Sequence, residues 1–121
     1  MGAVNIDLEK GMKQLESEYD LYEKKGVLKL LKDYYYLKER MYVRGDFDAV
    51  VVLADLEKAI ALANLGTRQS QVIELWKLRY NREEIAEEFD LASNTVRESL
   101  NSAATKIASV YKKWGYVNAI Q

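Results

Sequence analysis

The sequence predicts an all-α fold on three observations. Apolar residues recur at helical spacing in successive stretches along the chain. Proline is absent from all 121 residues, so no helix has to break on one. Glycines 26, 45 and 66 stand singly between the apolar stretches, as helix punctuation does.

Residues 6–24 place Leu8, Leu15, Tyr19 and Tyr22 on one side, which predicts a first helix. Gly26 is expected to interrupt it. Residues 27–43 carry Val27, Leu30, Leu31, Tyr34, Leu37 and Tyr42, a second helix. Arg44-Gly45-Asp46 makes a turn, and Asp46 can cap a third helix running to about Leu65. The same tripeptide matches an integrin-type motif, for which a plain turn is the preferred explanation. Gly66 separates this arm, residues 1–65, from the module of residues 66–121, where Thr67 can cap the next helix.

The stretch from Asn81 to Leu100 is the most informative. Asn81 can cap a helix, and Glu84 three residues on can reach back to it, a capping box. Ile85, Ala86 and Phe89 make one apolar face, and small Ala86 lets a second helix come close. Asp90 stands where this helix should stop, because Asp tolerates a left-handed backbone better than most residues. Leu91 follows as a buried plug. Ser93 or Ala92 opens the next helix, Ser being the better cap. Val96 and Leu100, four apart, would pack back on Ile85 and Phe89. Two helices joined by a tight turn with this spacing form a helix-turn-helix.

The outward face of the second helix carries Ser93, Asn94, Arg97, Glu98 and Asn101. Arg can bind guanine through two hydrogen bonds, Asn can do the same for adenine, and Glu can accept from cytosine. Ser93, Asn94 and Thr95 lie at the helix start, where free N–H groups favour a phosphate. A solvated surface face is the plain alternative. The joint pattern of cap, small residue, plug and apolar pair favours DNA. Arg82 and Lys106 complete the candidate DNA-binding set, Ser93, Asn94, Thr95, Arg97, Glu98, Asn101, Arg82 and Lys106.

Residues 65–114 resemble region four of the bacterial housekeeping sigma factors. Leu65, Arg68 and Gln69 match the family's opening, and Val72, Ile73, Leu75 and Trp76 its apolar first helix. Glu84, Ile85 and Ala86 match the second helix, and Thr95, Val96 and Leu100 the third. Asp90 stands where the family usually has Gly, Ala92 where it usually has the Ser cap, and Gly66 is extra. The arm is similar to small phage and prophage proteins of the autolysin-regulator type. Gly45 to Ala49, Lys106 to Ala108, Tyr111 and Trp114 carry that similarity. The resemblance implies a sigma-like, all-α DNA-binding regulator in a bacterial host cytoplasm. Its partners would be double-stranded DNA and RNA polymerase.

Composition sets independent limits. The chain has no Cys and no His, which removes thiolate and imidazole metal sites, disulfides and His- or Cys-based catalysis. No phosphate loop is present, and carboxylate pairs such as Asp46/Asp48 and Glu83/Glu84 sit at helix starts as caps and dipole partners. No enzyme activity, cofactor or metal is expected. The longest apolar run, residues 49–54, is far too short to span a membrane. The first ten residues have no signal-peptide pattern.

Charge argues against a strong DNA footprint. The chain carries −1 overall. Residues 1–65 hold 10 Lys+Arg against 12 Asp+Glu, and residues 66–121 hold 8 against 7. Arg68, Lys77, Arg79, Arg82, Arg97, Lys106, Lys112 and Lys113 are expected to form a basic band around the recognition helix. With few phosphate contacts per copy, useful affinity requires a homo-oligomer, a dimer or higher, or a protein partner.

The last helix keeps its apolar stripe through Val96, Leu100, Ala103, Ile107, Val110 or Tyr111 and Trp114, with Gly115 as the expected stop. That tail must pack on the arm, on a second subunit, or on both. Tyr34, Tyr35, Tyr36, Tyr42, Trp76, Tyr80, Tyr111, Trp114 and Tyr116 are better explained as core and interface than as platforms for unpaired bases. Two further functional readings stay open: a phage small terminase subunit assembling as a ring, and a helical interaction protein that binds no DNA.

Overall fold

The computed structural model describes residues 19–120, with side chains as far as residue 115. The described chain is all-helical. Six helices run in order: α1 Lys24–Lys32, α2 Tyr34–Arg44, α3 Phe47–Leu62, α4 Thr67–Lys77, α5 Arg82–Phe89 and α6 Ser93–Ile120. The expected helix over residues 6–24 falls mostly outside the described residues. None of the described helices is long and apolar enough to cross a membrane.

Helix α6 is the spine. It packs against α1, α3, α4 and α5, while α2 packs on α3. One apolar core runs through both halves of the chain. It joins Leu30, Leu31 and Leu37 from the arm to Ile73, Ile85, Leu100 and Ile107 from the later helices. The C-terminal part of α6 is therefore covered by the arm of its own chain, which supplies the first of the two expected partners.

Several expected boundaries move. Gly26 does not interrupt a helix; it lies inside α1 and is buried. A Cβ there would overlap the backbone carbonyl oxygens of Tyr19 and Asp20. The glycine is a point of close approach, and the turn falls earlier, where Asp20 has a positive φ. The expected second helix over 27–43 is two helices, broken at Asp33. Its carboxylate accepts a hydrogen bond from the Tyr19 hydroxyl at 3.0 Å and lies 3.9 Å from the Arg79 guanidinium. These long-range partners hold Asp33 at a corner that helical period alone does not reveal.

Asp46 caps α3 as expected, its side chain accepting from the Ala49 N–H at 3.2 Å. Helix α3 stops at Leu62, short of Leu65, because Asn64 takes the left-handed conformation at φ 54. Gly66, not Thr67, occupies the N-cap of α4, and the Gln69 side chain accepts from the Gly66 N–H at 3.0 Å. Gly115 does not end α6, which continues to Ile120. The Tyr22 hydroxyl packs directly where a Cβ of residue 115 would stand.

Two polar contacts fasten the arm to the later helices. The Trp76 indole N–H donates to the Leu28 carbonyl at 2.8 Å, tying α4 to α1 inside the core. Lys77 is only 5% exposed. Its ammonium lies 3.6 Å from Glu57 and 3.4 Å from Glu74, and 4.1 Å from the centre of the Tyr34 ring. The Tyr34 hydroxyl completes the group by donating to Glu57 at 2.8 Å. Burial, then the Glu57 carboxylate, pushes the Tyr34 phenol well above its ordinary value.

Replacing Gly26 with Ala should destabilise the protein by roughly 3 kcal/mol, because backbone must move to admit the methyl. A helix glycine without that approach would instead gain about 1 kcal/mol from the same change. Urea denaturation distinguishes the two signs. Tyr34 predicts an alkaline limit. The folded state holds its phenolic proton after the unfolded chain has lost it, so stability falls as pH rises past about 10 and is untouched below. Tyr34→Phe keeps the ring over Lys77 and should lose less stability between neutral and strongly alkaline pH than the parent, measured by thermal melts.

Candidate nucleic-acid interface

Helices α4, α5 and the start of α6 build a three-helix unit around a dry centre. Ile85, Val96 and Ala103 are fully buried, and Leu100 and Ile73 nearly so. Ala86 is buried and Phe89 half-buried against the same core. Val96 and Leu100 thus anchor the first turns of α6 from behind.

The turn into α6 follows the local chemistry. The Asn81 side chain accepts from the Glu84 N–H at 2.8 Å, and Glu84 accepts from the Asn81 N–H at 3.0 Å, a reciprocal capping box. Asp90 ends α5 at φ 53, ψ 51, the left-handed conformation expected of it. The next N–H, of Leu91, donates to the Ala86 carbonyl at 2.8 Å and closes the helix end. Leu91 is half-buried against the core. Ser93 is the first helical residue, and the Ala92 carbonyl accepts from Thr95 and Val96. Ala92 therefore stands at the N-cap position. The Ser93 hydroxyl, the better cap by type, is displaced one residue into the helix.

The candidate residues divide by position. Ser93, Asn94, Thr95, Arg97 and Glu98 are exposed on the first two turns of α6, and Asn101 is half-buried one turn further on. Arg97 and Glu98 make no ion pair among the described residues. Beyond Asn101 the polar stripe continues through Thr105 and Ser109, whose hydroxyls donate back to the carbonyls of Asn101 and Thr105. Arg82 is exposed at the first position of α5. Lys106 is exposed but does not share the Arg97 face. Nine residues at about 100° each put the two on opposite sides of α6. The Lys106 ammonium instead donates to Gln69 at 2.9 Å.

The expected basic band is thinner in the fold. Lys77 is buried between Glu57 and Glu74. Arg68 lies over the Phe89 ring, 4.9 Å from its centre, and Arg79 faces Asp33. Only Lys77 of the band is buried; Arg68, Arg79 and Lys106 stay exposed beside their partners, and Arg97, Arg82, Lys112 and Lys113 are exposed without an ion pair among the described residues. Gln69 is the residue that sequence reasoning used too narrowly. One side-chain oxygen accepts from both Gly66 and Lys106, joining the cap of α4 to α6. The spacing from Gly66 to Gln69 is that of an N-cap and its third helical residue, a signal present in the sequence.

The arrangement offers a narrow polar ridge backed by a rigid apolar anchor. It has the shape and side-chain types for hydrogen bonding to a flat edge, with modest positive charge beside it. No protein-family model, curated protein or solved structure matches the chain.

Proposed function

We propose that the protein is a sequence-specific, double-stranded-DNA-binding regulator of transcription, of phage or prophage origin and similar to sigma region four. The start of α6 would lie in a major groove, with Arg97 and Asn94 as base readers and Glu98 and Asn101 beside them. Ser93 and Thr95 would meet phosphate at the helix start, and Arg82 would meet it from α5. RNA polymerase would be a second partner, and the bacterial host cytoplasm the place of action.

One observation supports this reading most. Among the described residues Arg97 is exposed and makes no ion pair, on a helix whose adjoining face is held by fully buried Val96 and almost fully buried Leu100. A long cation held on a rigid element with no internal acceptor is suited to an external one. The same charge inventory favours a second reading, a helical interaction protein without DNA. Lys77 is taken into the interior, Arg68 and Arg79 have surface neighbours in Phe89 and Asp33, and the chain as a whole carries −1. A small terminase subunit remains a third reading, distinguished by a ring-sized mass in solution.

Selection of bound fragments from genomic DNA, followed by sequencing, tests the first reading. Recovery of one recurrent promoter-proximal motif supports it, a packaging-site motif transfers the fold to the terminase reading, and no enrichment in dilute buffer removes DNA from the account. Arg97→Ala should relax base preference at one position by about 1–3 kcal/mol. Unchanged preference would remove Arg97 as a base reader. Affinity should fall with salt on a shallow log–log slope of magnitude about 2–4 per copy, given the few cations beside the start of α6. A slope near that of a strongly basic DNA-binding domain would show that other surfaces carry the contact.

A further inference from the structure

Helix α3 is apolar on two opposite sides. Ala49, Val52, Leu53, Leu56 and Ala59 enter the core. Half a turn away run Phe47, Val50, Val51, Ala54, Ala61 and Leu62, with Lys58 as the single charge among them. Phe47 is 60% exposed and Leu62 64% exposed, and Val50, Ala54, Lys58 and Ala61 are exposed between them. A helix with apolar residues on two opposite sides ordinarily has a cover for each.

The outer stripe has the spacing of a coiled-coil seam. Phe47, Val51, Ala54, Lys58 and Ala61 follow one another at intervals of four, three, four and three residues. We infer that this seam pairs with the same seam of a second copy of the chain, antiparallel and about a twofold axis near residue 56. In that register Ala54 stands opposite Lys58 of the other copy, Val51 opposite Ala61, and Val50 opposite Leu62. Each pair occurs twice by symmetry. An alanine faces a larger side chain in the two central pairs, Ala54 with Lys58 and Ala61 with Val51, which lets the helices approach closely there.

Charge complementarity selects this occupant over an unrelated apolar helix. Asp55 borders the seam, is half-buried, and makes no ion pair among the described residues. Lys58 is likewise unpaired. The twofold register sets Lys58 of each copy within one residue's rise, about 1.5 Å along the axis, of Asp55 on the other. Two identical chains thus satisfy both groups at once. Glu57 is not a competing acceptor, because Tyr34 and Lys77 already hold it. Burial raises the Asp55 carboxyl above its usual range, with Lys58 of the same helix opposing. A single Lys within an apolar seam also fixes register at some cost in affinity.

This inference deepens the self-association part of the proposed function and does not rest on the DNA part. Sedimentation equilibrium of the full chain tests it. The expected mass is twice that of the chain. Ala54→Lys sets a second ammonium opposite Lys58 of the other copy, like against like at the centre of the seam, and should weaken pairing at least about tenfold. Residue 54 is exposed, so helicity by circular dichroism should not change. Asp55→Lys and Lys58→Glu should each weaken the dimer, and the double exchange should restore it. Orientation is checked by mixing Ala54→Cys and Lys58→Cys variants, since the chain has no native cysteine. A short bismaleimide should link unlike variants in preference to like ones.

A parent chain that stays monomeric at high micromolar concentration overturns the inference, as does a dimer or ring unmoved by Ala54→Lys. A seam dimer that takes up no duplex upholds the inference while sinking the groove reading.

Discussion

The fold rests on the need to cover one side of a long helix. Helix α6 carries buried residues from Val96 to Tyr111, well beyond the reach of α5, which spans only Arg82–Phe89. An apolar stripe of that length left in water would cost a large fraction of a small domain's stability. The arm supplies the cover, and its contacts become exacting as a result. Gly26 must lack a side chain so that the backbone at Tyr19 and Asp20 can come close, and Tyr22 packs over Gly115 at the far end of the same spine.

Polar groups inside this assembly act as fixed joints. The Trp76 indole reaches a carbonyl forty-eight residues away in sequence, and Lys77 is enclosed by groups from α2, α3 and α4. Removing a partner from a buried charge leaves the remaining charge uncompensated, so such a cluster holds its helices in one arrangement. The same cluster takes Lys77 away from any external anion. Stability and electrostatic footprint therefore compete for Lys77, the one charged side chain buried among the described residues.

The two outward-facing features differ in kind. The start of α6 is polar and rigidly backed, suited to directional hydrogen bonds. The outer face of α3 is apolar, with one positive and one negative group, suited to a second helix. They lie on different helices, so recognition and self-association need not interfere. A copy paired through α3 would present a second α6 at a fixed spacing, which compensates for weak contacts by one copy through effective concentration.

Local chemistry was legible in the residues themselves. The capping box at Asn81 and Glu84, the left-handed stop at Asp90, the Asp46 cap and the division between Val96/Leu100 and Asn94/Arg97/Glu98 all depend on neighbours within one or two turns. The all-helical class follows from the same short-range periodicities. Tertiary contacts decided the rest. Gly26 as a close approach and not a break, the corner at Asp33, the burial of Lys77 and the run of α6 through Gly115 each depend on a group distant along the chain. A glycine or a lysine has the same spelling whether it faces water or another helix, and only packing determines which.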